Sequence, residues 1–150
     1  GRPRTTESSL FINPDPLELQ GILRDTRTVA VVGASNNRAR PSYEVYDYLA
    51  RFSDYELYPV NPNITEIDGT ATYPSLAALP VVPDMVDVFR RQNDLPSVLA
   101  ATLALSPRPK YLWLQQGLWS EKLAEDAQAA GLRVVMDRCL KVDHARLSGR

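Results

Sequence analysis

Residues 28–37 read TVAVVGASNN, and this segment predicts a strand that turns directly into a helix. The run Thr28–Val32 is apolar and largely β-branched, which is typical of a strand buried on both faces of a parallel sheet. Gly33, Ala34 and Ser35 follow at once, and small residues here allow a tight turn. A strand, a short turn and a helix in this order form the first half of a βαβ unit.

Four comparable apolar runs follow, and they alternate with segments of helical character. The runs lie at residues 56–60, 85–89, 111–114 and 133–136. Each interval leaves room for one helix and two turns, and Val45, Leu49 and Phe52 in the first interval have helical spacing. Since parallel strands are joined by right-handed crossovers, the pattern predicts an α/β fold: a doubly wound parallel sheet of about five strands with helices on both faces.

The segment before the first strand divides into a tail and a short helix. Residues 1–14 are expected to form an N-terminal tail, and residues 15–150 a single domain. Asp15, Pro16 and Glu18 have the arrangement of an N-cap, a first helical residue and a capping box, so a helix is expected to begin there.

Composition excludes several classes of function. The 150 residues include 17 Lys and Arg against 18 Asp and Glu, so no bulk positive charge attracts nucleic acid or an anionic membrane. One Cys and one His exclude a disulfide framework and a Cys/His zinc cluster. Because no apolar run has the length of a transmembrane helix, we expect a cytoplasmic domain without a metal site.

The loop after the first strand is the first candidate binding site, because ligands of doubly wound sheets bind at the carboxyl ends of the strands. The N–H groups of a small-residue turn and of the following helix N-terminus favour an anion. Arg38 and Arg40 would add charge-assisted hydrogen bonds to phosphate. The alternative is a structural turn with two solvated arginines.

Three well-known motifs are incomplete in this loop. A Walker loop needs a second Gly followed by Lys, and the nucleophile elbow needs a Gly two residues after Ser35. The dinucleotide fingerprint has only Gly33 of its three glycines, and the second strand ends at Val60 without the carboxylate that holds a ribose. The loop therefore disfavours NAD binding and nucleophilic catalysis, and we assign no catalytic residue.

The other strand ends supply aromatic, amide and thiol groups. Phe89 and Arg90 can stack on a base and neutralise phosphate, or form a core aromatic with a surface charge. The amides of Gln115-Gln116-Gly117 can bind polar groups without charge. Cys139 is either a small buried hydrophobe or a thiol facing the cleft.

Taken in order, these segments resemble the small CoA-binding protein family, whose fold is that of the CoA-binding domain of the succinyl-CoA synthetase α subunit. The resemblance rests on the segments VVGAS (31–35), PVNP (59–62), VDVFR (86–90), LWLQQG (112–117) and DRCLK (137–141). The chain departs from the synthetase in having Asn36-Asn37-Arg38 where the synthetase loop has further glycines, and Asn63 where it has a Lys. The synthetase's phosphorylated His belongs to a second domain, so His144 is not assigned that role.

The resemblance implies a Rossmann-like domain that binds coenzyme A. Residues implied to meet or approach the phosphates are Gly33, Ala34, Ser35, Asn36, Arg38, Arg40 and Ser42. Those implied to flank the adenosine part are Asn61, Pro62, Asn63, Phe89 and Arg90, and those nearer the pantetheine arm are Gln115, Gln116 and Gly117.

The leading hypothesis is a stand-alone module that binds CoA or an acyl-CoA without catalysis of its own. One alternative is an enzyme, either a subunit of a CoA-ligase-like enzyme or a nucleotide-dependent oxidoreductase. A second alternative is a thiol redox regulator, in which Cys139 forms a mixed disulfide with CoA. A homodimer and an unknown protein partner are both left open.

Overall fold

The computed structural model describes residues 10–148. These residues contain seven strands and five α-helices. The strands are β1 (Thr28–Val32), β2 (Glu56–Val60), β3 (Glu66–Ile67), β4 (Thr70–Ala71), β5 (Met85–Val88), β6 (Tyr111–Leu114) and β7 (Arg133–Val135). The helices are α1 (Pro16–Asp25), α2 (Pro41–Phe52), α3 (Leu95–Leu103), α4 (Glu121–Ala129) and α5 (Leu140–Leu147).

Five of the strands form one parallel sheet in the order β2-β1-β5-β6-β7. These are the five strands predicted from the apolar runs, and the predicted α/β, Rossmann-like, doubly wound fold is confirmed. The chain moves outward from β1 to β2 and then returns to the other side of β1 with β5. This reversal of strand order lies between β1 and β5, where such sheets open a crevice.

Helices cover both faces of the sheet, and each face has its own apolar core. Val29 and Val31 of β1 pack into the layer formed with α1, α2 and α5. Ala30 and Val32 pack into the layer formed with α3 and α4. Because β1, β5 and β6 are buried on both faces, their sequences are continuous apolar runs apart from Thr28, at the start of β1, and the buried Asp87.

Local signals account for the helix boundaries. The Asp15 side chain accepts a hydrogen bond from the Glu18 N–H and the Glu18 side chain accepts one from the Asp15 N–H, so the predicted capping box is confirmed. The Ser120 side chain caps α4 by accepting a hydrogen bond from the Leu123 N–H at 3.0 Å. Phe52, expected on the apolar stripe of α2, is instead 55% exposed at the C-terminal end of that helix.

The interval between β2 and β5 contains a small antiparallel hairpin, β3–β4, that the apolar pattern does not predict. Its two turn residues, Asp68 and Gly69, both have positive φ, which is the requirement of a tight two-residue hairpin turn. The Tyr43 hydroxyl donates to Asp68 at 2.6 Å, so the hairpin is held against α2.

The N-terminal segment lies against the edge strand β7. Residues 1–9 of the expected tail, and residues 149–150, lie outside the described residues. Asn13 donates to the Met136 carbonyl oxygen and accepts from the Met136 N–H, at 2.8 and 2.9 Å. Phe11 packs edge-on against the ring of Trp119.

Among residues 10–148, no helix has both the length and the apolar character needed to cross a membrane. The same residues contain no group of three His, Cys, Asp or Glu side chains placed to hold a metal ion.

Candidate functional site

A cleft of about 1260 Å³ runs along the carboxyl ends of the sheet strands, and we call it the carboxyl-edge cleft. Loops that follow β1, β2, β5 and β6 line it, together with the N-termini of α2 and α5. The cleft brings together all the residues predicted for the site except Asn36 and Arg38. The predicted residues that line it are Gly33, Ala34, Ser35, Arg40, Ser42, Asn61, Pro62, Asn63, Phe89, Arg90, Gln115, Gln116, Gly117 and Cys139.

Gly33 allows the backbones of two neighbouring strands to meet at the base of the cleft. Its φ is +87°, and a Cβ atom placed on it would lie 1.9 Å from the carbonyl oxygen of Phe89. No side chain fits at that distance, so only glycine is compatible with this turn.

The loop between β1 and α2 is held in place by the end of β2. The N–H groups of Gly33 and Ala34 both donate to the Val60 carbonyl oxygen, at 3.0 and 3.3 Å. The Asn61 side chain donates to the Ala34 carbonyl oxygen at 2.7 Å and accepts from the Asn63 N–H at 2.7 Å. The Asn61 side chain therefore has a structural role that sequence reasoning did not assign to it.

The N-terminus of α2 opens into the cleft with unpaired donors. Arg40 occupies the N-cap position without a side-chain capping bond, and Pro41 occupies the first turn. Ser42 is 5% exposed and lines the cleft, yet neither its N–H nor its hydroxyl has a hydrogen-bond partner among the described residues. A helix N-terminus with free N–H groups favours an anion, because the helix dipole and the donors act together.

The structure separates the two arginines that the sequence analysis had grouped. Arg38 lies against the hairpin, with Nη2 3.7 Å from Asp68 Oδ1 and its guanidinium carbon 5.4 Å from the centre of the Tyr43 ring. Asn36 also faces the hairpin, where its amide lies 3.5 Å from the Glu66 carbonyl oxygen. Neither side chain is among the cleft residues, because the hairpin offers each of them a partner.

Charges on the β5 side of the cleft are largely compensated. Arg90 Nη2 lies 3.3 Å and Arg91 Nε 3.8 Å from the Asp94 carboxylate. The hydrogen bond from the Arg91 backbone N–H, together with the two guanidinium groups, lowers the pKa of Asp94 below its ordinary value. Asp94 was not among the residues predicted for the site, since it follows the strand only after a short 3₁₀ turn.

Arg40 differs from the other cations of the cleft. Lys141 lies 3.8 Å from Glu44, and Arg90 and Arg91 share Asp94. Of the cleft cations within residues 10–148, only Arg40 has no carboxylate partner. It therefore offers its charge to a bound anion without first breaking an ion pair.

The β6 side of the cleft presents amide and thiol groups. Gln115 is 6% exposed, and its Oε1 accepts from the Leu140 N–H at 3.2 Å. The Gly117 N–H donates to Asp137 Oδ1 at 2.7 Å, which fixes the loop after β6. Cys139 is partly buried at the N-cap of α5, where its side chain makes no capping bond.

Relatives of known sequence and structure share this architecture. The chain is 38% identical over 133 residues to YneT, an uncharacterized protein of Bacillus subtilis, covering 89% of this chain and 96% of YneT. A solved structure from Thermus thermophilus, cell-free ID.343, superposes with a TM-score of 0.82 at 37% identity, covering 89% of this chain and 99% of that chain.

A larger relative carries the same region as one part of its length. The α subunit of the ADP-forming acetate–CoA ligase II of Pyrococcus furiosus is 27% identical over 137 residues. The match covers 81% of this chain and 29% of that subunit, so the chain spans less than a third of the ligase subunit.

The family model described as "CoA binding domain" matches residues 27–145, a stretch that includes every strand of the sheet and every residue of the cleft. The chain therefore belongs to the CoA binding domain family.

Proposed function

We propose that the protein binds coenzyme A or an acyl-CoA in the carboxyl-edge cleft, as a stand-alone module without catalysis of its own. The family match over residues 27–145 carries this proposal, because the residues that line the cleft all lie inside the matched stretch. The cleft also exceeds the usual volume of a small-ligand pocket, about 300 to 1,000 Å³, which suits a long ligand.

The phosphates are assigned to the α2 N-terminus. The free N–H of Ser42, its hydroxyl and the uncompensated Arg40 together form an environment that favours negative charge. A phosphate there would satisfy donors that otherwise stay unpaired in a largely buried position.

The two arms of the ligand are assigned to different parts of the cleft. Asn63, after β2, and Arg90, after β5, flank the end of β1 and are assigned to the adenosine part. Gln115, Gln116 and Gly117 follow β6, one strand further along the sheet, and are assigned to the pantetheine arm. The absence of an acidic residue at the end of β2 favours CoA over NAD, since NAD sites use a carboxylate there to hold the ribose.

Isothermal titration calorimetry tests the proposal. CoA is expected to bind at a 1:1 ratio and NAD to bind at least about tenfold more weakly, since the ribose carboxylate is missing. Dephospho-CoA measures the contribution of the third phosphate. No heat with CoA at high micromolar concentration would overturn the proposal.

A second candidate is a subunit of a CoA-ligase-like enzyme, and the Pyrococcus furiosus relative is the observation that favours it. In that case a second chain would co-purify with this one and the pair would show CoA-ligase activity. CoA binding by the isolated chain, with no partner and no such activity, would favour the stand-alone module instead.

A further inference from the structure

The loop between β5 and α3 places two arginines against one carboxylate inside the carboxyl-edge cleft. Arg90 Nη2 lies 3.3 Å and Arg91 Nε 3.8 Å from Asp94 Oδ2, and all three residues line the cleft. The same Asp94 oxygen accepts from the Arg91 backbone N–H at 3.3 Å. Two guanidinium groups therefore share one carboxylate, and the group as a whole keeps an excess positive charge.

Hydrogen bonds hold the backbone of this loop at both ends. The Gln92 side-chain amide donates to the Trp119 carbonyl oxygen at 2.6 Å and accepts from the Trp119 N–H at 3.3 Å. The Phe89 N–H donates to the Val32 carbonyl oxygen at 2.8 Å. A ligand that reaches the two arginines therefore meets a fixed backbone, and it gains access by rearranging side chains rather than by moving the loop.

The two arginines extend from the base of the cleft to its rim. A Cβ atom placed on Gly33 would lie 3.2 Å from Arg90 Cδ, so the Arg90 stem passes close to the turn that follows β1. The Arg91 side chain is 91% exposed. A ligand lying along the end of β1 would meet Arg90 first, with Arg91 beside it.

The pairing with Asp94 is weak enough for a ligand to replace it. Solvent reaches both arginine side chains, and ion pairs in such positions contribute little stability. A phosphate monoester carries about −1.5 to −2 charges at neutral pH on three acceptor oxygens, and arginine binds such groups through paired hydrogen bonds. A monoester is therefore a stronger partner for two guanidinium groups than a single carboxylate.

CoA carries one phosphate monoester, at the 3′ position of the ribose in its adenosine part, and its other two phosphates form the diphosphate. We propose that Asp94 pairs with Arg90 and Arg91 in the unliganded protein and that the 3′-phosphate of CoA displaces it. This inference rests on the proposed function, which assigns Arg90 to the adenosine part. Asp94 is then a specificity-determining residue, because a ligand without a phosphate monoester lacks the charge to replace the carboxylate.

Calorimetry with CoA and dephospho-CoA tests the inference on the natural sequence and on Asp94→Asn. The amide keeps an oxygen that can accept from the Arg91 N–H, so the substitution removes the charge alone. We expect the natural sequence to bind CoA more tightly than dephospho-CoA. In Asp94→Asn the affinity for CoA should rise about threefold or more, while that for dephospho-CoA changes less than about twofold.

Arg91→Gln changes the same interaction in the opposite direction. Loss of a charge-assisted hydrogen bond should weaken CoA binding about fivefold or more and leave dephospho-CoA within about twofold. The ratio of the two affinities then falls toward one.

Asp126→Asn is the matched control for Asp94→Asn. It makes the same change of charge at a carboxylate that lies 3.1 Å from Lys122 Nζ on α4, outside the cleft. The ratio of the CoA affinity to the dephospho-CoA affinity should stay at the value of the natural sequence.

An unchanged or lower CoA affinity in Asp94→Asn would overturn the inference, because the carboxylate would then not compete with the ligand. Equal binding of CoA and dephospho-CoA by the natural sequence would overturn it as well. Both outcomes leave CoA binding in place and so leave the proposed function standing. The absence of CoA binding by the natural sequence would remove the proposed function and this inference together.

Discussion

The two edges of the sheet differ in whether their polar side chains have partners within the protein. At the amino edge, Asp84 accepts from the Arg27 N–H at 2.8 Å, and Asp25 accepts from Lys110 at 3.3 Å and from the Tyr111 hydroxyl. The Tyr111 hydrogen bond, followed by Lys110, lowers the pKa of Asp25 below its ordinary value. These polar groups at the amino edge are therefore hydrogen-bonded to one another.

At the carboxyl edge, Ser42 and the Gln115 NH₂ group lack hydrogen-bond partners and Arg40 lacks a carboxylate, all within residues 10–148. Polar groups that are paired within the protein stabilise the fold, and accessible groups left unpaired are available to a ligand. The difference between the edges therefore supports the proposal that the ligand binds at the carboxyl edge. Four variants test this comparison, and two of them have a matched control variant.

The largest loss of stability is expected from Gly33→Ala, because this substitution disturbs the close approach of β1 and β5 at the carboxyl edge. The new Cβ would collide with the Phe89 carbonyl oxygen and adopt an unfavourable φ, so we expect the free energy of unfolding to fall by about 3 kcal/mol or more. Urea unfolding measures the loss.

Gly117→Ala is the matched control for Gly33→Ala. Gly117 has nearly the same φ, +89°, but no atom of another described residue lies within 4 Å of its added Cβ, so only about 1 kcal/mol of backbone strain is expected. Equal losses of unfolding free energy in the two variants would show that the close contact between Gly33 and Phe89 does not add to the cost of a side chain at residue 33.

Arg40→Gln tests the phosphate assignment directly. Losing a charge-assisted hydrogen bond of about 1.5 to 3 kcal/mol weakens CoA binding about tenfold or more. Arg38→Gln, which alters a cation paired with Asp68 outside the cleft, is expected to change affinity less than about twofold because exposed ion pairs contribute little. Calorimetry at two salt concentrations measures both, and a larger loss in Arg38→Gln would reverse the assignment.

Asp87 is unpaired among the described residues but does not line the cleft. It therefore separates the effect of an unpaired group on stability from an effect on ligand binding. Both its carboxylate oxygens are buried without a hydrogen-bond partner among residues 10–148, and burial raises the pKa of Asp87 well above its ordinary value. The folded state then binds a proton that the unfolded state releases at lower pH. Stability should fall as pH rises from the unfolded pKa, about 3.9, through the raised folded value.

The variant Asp87→Asn does not titrate at this position. Its free energy of unfolding should rise relative to the natural sequence by up to about 1.4 kcal/mol per pH unit across that window. Urea unfolding between pH 4 and pH 8 measures the difference, while CoA affinity should change little because Asp87 does not line the cleft. A pH-independent difference in stability would contradict the proposed protonation.

Lys110→Met is expected to have the smallest effect. Its ion pair with Asp25 joins two half-exposed side chains, so its loss should change stability by less than about 1 kcal/mol. CoA affinity should not change measurably in calorimetry, because the amino edge does not touch the cleft. A marked loss of affinity would contradict the distinction between the edges.

Local signals in the sequence were enough to predict the sheet and the edge at which the cleft lies. The runs around Val31, Val86 and Leu112 could only be buried strands, and the Asp15 cap depends on residues three positions apart. Most of the cleft followed from one rule, that ligands of such sheets meet the residues after each strand.

Contacts between distant residues could not be predicted in the same way. Arg38 lies outside the cleft because it pairs with Asp68, 30 residues away in the hairpin. The strands of that hairpin are too short to show an alternating apolar pattern in the sequence. The Asp68-Gly69 pair is a hairpin signal and could have revealed it. The orientation of the Gln115 amide likewise depends on Leu140, which only the parallel packing of β6 and β7 brings close.

Hydrogen–deuterium exchange with and without CoA tests the central claim most directly. The account predicts that CoA slows exchange in peptides covering residues 33–44, 61–63, 89–94 and 115–117, at the carboxyl edge. Peptides covering residues 25–28, 84 and 110, at the amino edge, should exchange unchanged. Protection confined to the amino edge, or no protection at saturating CoA, would contradict the assignment of the cleft.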